Sequence, residues 1–170
     1  MRPTIPIGEW RLSLDLQKTG LLQDSSGAPA RGCDCAWCRN WRACHSQVLP
    51  DGFAAALKRL KLRPESPSDL YANSQDEAGC YCRITYHVVG RVTSGPHPFL
   101  RGPEGGGIWE QNYQQLRPRL GELQFWVGAS SDITGDTSWA PEWAQPLVAV
   151  DLRGEVPWAL PEPQPPVSFG

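Results

Sequence analysis

Cys80-Tyr81-Cys82-Arg83-Ile84-Thr85-Tyr86-His87-Val88-Val89-Gly90-Arg91-Val92 is the stretch that decides the fold. It is dense in aromatic and β-branched residues, which pack well on a pleated surface, and it predicts one long strand. Gly90 marks an expected bulge. Upstream, Trp10, Leu12, Leu14 and Leu16 alternate with Arg11, Ser13 and Asp15, so Glu9 to Leu16 predicts a half-buried strand. Gly20 and the Asp24-Ser-Ser-Gly-Ala-Pro run then predict a loop. Downstream, Leu123 to Val127 predicts a strand. Leu147 to Leu152 and Val156 to Leu160 predict two more, joined as a hairpin through Asp151-Leu-Arg-Gly-Glu.

The clearest helix follows Asp51, a capping residue, with Phe53, Leu57 and Leu60 on one apolar stripe. Lys58, Arg59 and Lys61 suit its C-terminal end, and Pro64 stops it. Ser66-Pro67-Ser68-Asp69-Leu70-Tyr71 has the signature of a second, short helix. Ser94 to Gly107 predicts a loop, Ile108 to Leu116 fits neither helix nor strand clearly, and Ser130 to Pro146 predicts a loop with a helical turn near Trp139 to Trp143. Five strands and one or two helices, without an alternating strand–helix period, predict a single α+β domain over 1–160. Its sheet is expected to be mainly antiparallel, with long loops. Residues 161–170, rich in proline, are expected to be an extended or disordered tail.

The chain has 170 residues, enough for one ordinary domain that buries a core without covalent staples. Sixteen basic and 18 acidic residues leave a net charge of −2, which gives no global footprint for nucleic acid. The sign is uneven, however. Arg31, Arg39, Arg42, Lys58, Arg59, Lys61 and Arg63 face only Asp34 and Asp51 between 31 and 63, a local +5, so the remainder carries −7. No apolar run approaches the roughly 20 residues that span a bilayer, and Met1 to Ile7 has no signal-like apolar core. A cytoplasmic setting without membrane contact is the expectation, and there thiols stay reduced.

All six cysteines fall in two runs. Cys33, Cys35, Cys38 and Cys44 occupy the first, next to His45; Cys80 and Cys82 occupy the second, followed by His87. Zinc takes about four soft or borderline ligands in a tetrahedron, and Cys33-x-Cys35-x-x-Cys38 offers three thiolates on one short segment. The fourth candidate ligand is Cys44, His45, Cys80, Cys82 or His87. A ligand from the second run would clip the first run onto the long strand and remove unfolded-state entropy. The same cysteines also fit small buried hydrophobes, or a redox pair.

Trp37 and Trp41, interleaved with Arg31, Arg39 and Arg42, are candidates for stacking bases or gripping a peptide, or else for core around the cysteines. Enzyme signatures are missing: Gly105-Gly106-Gly107 lacks a following Lys-Ser/Thr, and there is neither a Gly-x-Ser-x-Gly elbow nor a His-Glu-x-x-His pair.

Four phrases stand together: Cys33-Asp34-Cys35-x-x-Cys38-Arg39-Asn40, Leu62-Arg63-Pro64-x-x-Pro67-Ser68-Asp69, Tyr86-His87-Val88-Val89-Gly90-Arg91 and Pro157-Trp158-Ala159-Leu160-Pro161-Glu162. They resemble a group of small bacterial proteins over Ile7 to Glu162. The resemblance implies no activity and no catalytic residues. Small acidic α+β proteins often neutralise a toxin by binding it, which is an analogy at the level of fold. The expectation is therefore a non-enzymatic intracellular binding protein with a zinc-holding cysteine cluster and a protein partner. Two alternatives stand beside it: a nucleic-acid-associated zinc module, and a thiol-based redox protein or enzyme.

Overall fold

The computed structural model describes residues 2–75, 79–97, 99–100, 110–116, 122–132 and 137–167. In chain order the elements are β1 (Thr4–Ile7), β2 (Trp10–Leu14), α1 (Leu16–Asp24), α2 (Ala36–Val48), α3 (Asp51–Arg59), β3 (Asp69–Gln75), β4 (Gly79–Ser94), β5 (Phe99–Leu100), β6 (Glu110–Gln111), β7 (Gln114–Leu116), β8 (Leu123–Ala129) and β9 (Leu147–Pro157). Short 3-10 turns lie at Ser130–Asp132 and Glu142–Ala144.

Among the described residues one sheet runs β1-β2-β4-β9-β8-β7, with β3 paired to the first half of β4, and every pairing in it is antiparallel. β5 and β6 form a separate small ribbon. The result is one α+β domain, as the strand and helix patterns predict. β4 is its spine: β3 and then β2 pair along one edge and β9 along the other.

Strand alternation gives β4 two chemically different faces. Cys80, Cys82, Ile84, Tyr86 and Val88 point into the main core, where Trp41, Cys44 and Val48 of α2 and Phe53, Ala56 and Leu57 of α3 cover them. Two indole and phenol groups are drawn to one acceptor there: Trp41 Nε1 and Tyr86 Oη both donate to the Pro64 carbonyl, at 2.9 and 2.5 Å. Burial pushes the Tyr86 hydroxyl far up in pKa. On the other face lie Arg83, Thr85, His87 and Val89. Only Val89 joins an apolar cluster, with Leu22, Ala144 and Leu147.

Several local expectations give way to tertiary forces. Gly20 does not open a loop. Asp15 caps α1 by accepting Lys18 N–H at 3.0 Å, and Leu22 buries fully, so the helix runs through the glycine to Asp24. Ser66 to Tyr71 is not a helix: from Asp69 the chain pairs with β4, and that ladder outweighs a capping signature of a few residues. The stop at Gly20 and the second helix are both corrected here.

The expected hairpin near the C-terminus is one continuous strand, β9, because its partner β4 is long enough to pair it from Leu147 to Pro157. The cap of α3 is Pro50, not Asp51, which becomes the first helical residue near the positive dipole end. On the β2 side the irregularity sits at Thr93, where Arg11 pairs Ser94 and Leu12 pairs Val92, and the β3–β4 ladder has another between Ala72 and Ser74. Gly90 pairs regularly with Leu14, and its lack of a side chain answers a close approach: a Cβ there would lie 2.3 Å from the Ser13 carbonyl.

Most of the predicted 94–107 loop lies outside the described residues, and β4 itself extends to Ser94. Within the ambiguous 108–116 stretch, Glu110–Gln111 and Gln114–Leu116 are strands. Residues 161–167 carry no helix or strand. They hold to the sheet end through Gln164 Nε2 donating to the Gly79 carbonyl at 3.1 Å and Val167 N–H donating to Gln75 Oε1.

Candidate functional site

The first cysteine run straddles the start of α2. Gly32, at φ +75°, turns the chain just ahead of it. Cys33 N–H then donates to the Ala30 carbonyl at 3.3 Å, Cys35 is the cap of α2, and Cys38 lies in its first turn. Arg42, one turn further along, folds the segment back on the helix. Its Nη1 donates to the Cys33 carbonyl at 2.8 Å and its Nη2 to Asp34 Oδ1 at 3.0 Å. The Sγ atoms of Cys33, Cys35 and Cys38 all lie within 4.8 Å of one another, a spacing compatible with one metal ion. Cys35 is exposed, Cys33 half-buried and Cys38 buried, so the cluster opens to solvent on one side.

Its electrostatics differ from one sulfur to the next. The Cys33 thiol is held below its ordinary pKa, chiefly by the Cys35 backbone N–H, with the Cys35 and Cys38 thiols and Arg42 adding to the effect. Cys38 is pushed up by burial and then by its two sulfur neighbours. A cation held among the three would reverse that rise, because coordination stabilises the thiolate. The positive end of the α2 dipole acts in the same direction.

The other candidate ligands are placed elsewhere. Cys44, Cys80 and Cys82 are buried in the core, with Cys80 and Cys82 Sγ 2.7 Å apart and the Asn40 amide 3.9 Å from Cys44 Sγ. Burial, with Cys80 nearby, pushes the Cys44 thiol up to about 12, and the Cys80 contact followed by burial drives Cys82 higher still. His45 is half-buried on α2, with Nδ1 3.1 Å from the Arg42 carbonyl and its ring against Trp41.

His87 lies on the opposite face of the sheet from Cys80 and Cys82. Its Nε2 is 3.1 Å from Ser130 Oγ, its ring packs edge-on against Trp139 and its Nδ1 has no partner. Among the described residues no group of three or more His, Cys, Asp or Glu side chains that brings its ligand atoms mutually within 4.8 Å includes a residue of the second run.

The predicted binding residues also serve internal contacts. Trp41 is buried in the core. Trp37 meets Trp158 edge-on at 5.5 Å between centroids, and Arg39 pairs with Glu162 at 2.6 Å. Arg31 turns inward: Nη1 donates to the carbonyls of Leu22 and Ser25, Nη2 to Ser68 Oγ at 3.4 Å, and its guanidinium lies over the Trp139 ring. Asn40, absent from the sequence-predicted set, is central to this corner. Its amide bonds both Pro157 and Ala159, so the cysteine phrase and the Pro-Trp-x-Leu ending lie against each other. No protein-family model, curated protein or solved structure matches this chain.

A second polar constellation, on the face of β4 that carries Arg83 and His87, was not visible as a site in the sequence. Asp151 is fully buried and accepts four hydrogen bonds. Arg83 Nε and Thr85 Oγ1 reach Oδ1, each at 2.8 Å; Tyr113 Oη and Trp126 Nε1 reach Oδ2, at 2.9 and 2.8 Å. The only sequence signal for it is a lone acid beside an apolar run, Leu147 to Val150, and a lone arginine inside the spine strand. Apart from these clusters, a cleft of about 410 Å³ opens between the β1–β2 turn, the start of α3 and β7, with Phe53 and Phe125 in its wall and Arg59 among its lining. No helix among the described residues is long and apolar enough to cross a membrane.

Proposed function

We propose that this chain is a non-enzymatic intracellular binding protein in which Cys33, Cys35 and Cys38 hold one zinc ion, and that it acts through a protein partner. The observation that carries this reading is the convergence of three sulfurs on one solvent-facing point at the start of α2. Zinc ligated by three thiolates keeps one tetrahedral position open. Water fills it in the free protein, and a partner's side chain fills it in a complex. The ion fixes the Cys33–Cys35 segment to α2. Through Trp37, Arg39 and Asn40 it also steadies the 157–162 segment packed alongside. Toxin neutralisation is one form such partner binding takes, on the analogy of small acidic α+β binders.

Two alternatives have weaker support. For nucleic acid, the tryptophans and arginines of the first run are spent on Trp158, Glu162, Asp34 and the core rather than on a free stacking face. For thiol redox, the close Cys80 and Cys82 sulfurs are the best observation, but both are buried and the Cys82 thiol is pushed strongly up, which suppresses the nucleophilic thiolate.

Cobalt substitution tests the reading. One Co(II) per chain is expected, with the spectrum of a tetrahedral site and a thiolate charge-transfer band that disappears in Cys38→Ser. A wholly octahedral, sulfur-free spectrum would defeat it.

A further inference from the structure

The cleft between the β1–β2 turn, α3 and β7 lies where the two ends of the sheet meet. β1 and β7 close the strand order, so among the described residues each is paired on one side only. The sheet curls until these ends approach. Gln114 Nε2 of β7 donates to Glu9 Oε2 of the β1–β2 turn at 2.6 Å, and a Cβ on Gly8, at φ +54°, would lie 2.6 Å from the Phe125 ring. α3 runs along this seam, and a space of about 410 Å³ remains between them. Small-molecule sites occupy about 300–1,000 Å³, so the cleft has room for one small ligand.

Its walls offer water little. Gly52, Phe53, Ala56 and Arg59 line it from α3 at helical spacing, a stripe about 10 Å long at 1.5 Å per residue. Phe53 meets Phe125 edge-on at 4.8 Å between centroids, and Trp10 backs Phe125 at 5.4 Å, which fixes the aromatic wall. Pro6 and Pro50 bring no backbone N–H to the lining, and the Pro50 carbonyl already accepts from Phe53 and Ala54, each at 2.9 Å. Both glutamine amides of the lining are engaged as donors, Gln114 by Glu9 and Gln115 by Gln124 Oε1 at 3.2 Å. Water poorly held in this way is favourably replaced by an apolar group.

Arg59 is the exception. It is the one charged residue in the lining, it is exposed, and among the described residues it makes no hydrogen bond or ion pair. Glu9 stands outside the lining and reaches Gln114 instead, and Asp51 lies about 12 Å back along the α3 axis. A guanidinium without a counter-charge beside an apolar cleft matches a carboxylate that carries an apolar body.

We propose that this cleft binds a small monocarboxylate with an apolar chain, its carboxylate on Arg59 and its chain against Phe53, Ala56 and Phe125. The site shares no residue with the cysteine triad.

The test is a calorimetric titration of the full chain with octanoate, octanol and acetate at constant ionic strength, beside methyl NMR. Octanoate is expected to bind saturably, one per chain, and more tightly than octanol, which has the same chain without the charge. Acetate, the head group alone, is expected not to bind. Octanoate shifts the methyl signals of Ile7, Ala56 and Leu116 in the cleft and leaves those of Val89 and Leu147, in the second apolar cluster, in place. Arg59→Gln, an exposed change that spares the core, lowers octanoate affinity about threefold to fivefold, the size of an exposed charged pair, and leaves octanol unchanged. The comparison of octanoate with octanol in the native chain needs no variant. Equal affinity for the two, unchanged octanoate affinity in Arg59→Gln, shifts confined to methyls outside the cleft, or no saturable binding overturns the proposal.

Discussion

Asn40 holds Ala159 and Pro157 by a two-point amide clamp: its Oδ1 accepts the Ala159 N–H at 2.7 Å while its Nδ2 donates to the Pro157 carbonyl at 2.9 Å. Asparagine alone presents a donor and an acceptor at this spacing from a short, buried side chain. Asn40→Ala is therefore expected to destabilise the protein by about 1–3 kcal/mol, since it leaves two backbone groups without partners. It also frees the chain beyond Pro157. Asn40→Asp keeps the acceptor but turns an oxygen against the Pro157 carbonyl, so it is expected to lose as much. Urea denaturation beside limited proteolysis checks both; native-like stability of Asn40→Asp would show that the clamp is unimportant.

Among the described residues Asp151 is the one buried acid, and its four donors come from β4, from β8 and from Tyr113 just ahead of β7. Asp151→Asn keeps the shape but removes the charge facing Arg83, whose own pKa is lowered most by burial yet rises overall because the attraction and hydrogen bond of Asp151, with Tyr71, together outweigh it. Breaking a buried pair by removing one partner costs about 3–5 kcal/mol. The expected result is a large drop in the denaturation midpoint, and a shift within experimental scatter would mean that Arg83 finds another counter-charge.

His87 predicts a pH dependence of stability. Burial pushes its pKa down to about 4, with Arg31 and Arg83 adding and Asp151 opposing. In the unfolded chain its pKa returns to about 6.5. Between pH 6.5 and 4 the unfolded state binds the proton and the folded state resists it, so stability falls as pH falls through that window. The contribution is fully present above pH 6.5, and the slope reaches about 1.4 kcal/mol per pH unit. Asp69, with its raised folded pKa, acts in the opposite direction, but it does so equally in a His87 variant. Denaturation of the native chain and of His87→Gln at several pH values between 4 and 7 is expected to show a shallower slope in the variant.

The six cysteines are expected to divide by burial. In metal-free native protein, Cys33 and Cys35 react promptly with a chromogenic disulfide reagent, while Cys38, Cys44, Cys80 and Cys82 wait for unfolding. Two fast thiols followed by four slow ones is the predicted trace. Prompt reaction of all six would place the second run outside the core.

β4 was legible because its composition leaves little else for it to be, and the apolar stripe of α3 was legible for the same reason. β9 was not. Asp151-Leu-Arg-Gly-Glu has turn chemistry, and only a long partner strand, with Arg83, Thr85, Tyr113 and Trp126 waiting for that acid, keeps it extended. α1 was hidden by Gly20 and is held by the Asp15 cap and the burial of Leu22. The cysteine triad could be read from sequence since its members are local. The pairing of Arg83 with Arg153 depends on strand register, and the contact between Asn40 and Ala159 joins distant segments, so neither leaves a mark in spacing.

The most direct measurement of the metal reading is the zinc content of protein prepared without chelator, for the native chain and for Cys35→Ser, which alters an exposed sulfur and spares the core. One zinc per native chain and little or none in the folded variant is the predicted result. A native chain without zinc or any other transition metal, even after incubation with zinc and removal of excess, would contradict it.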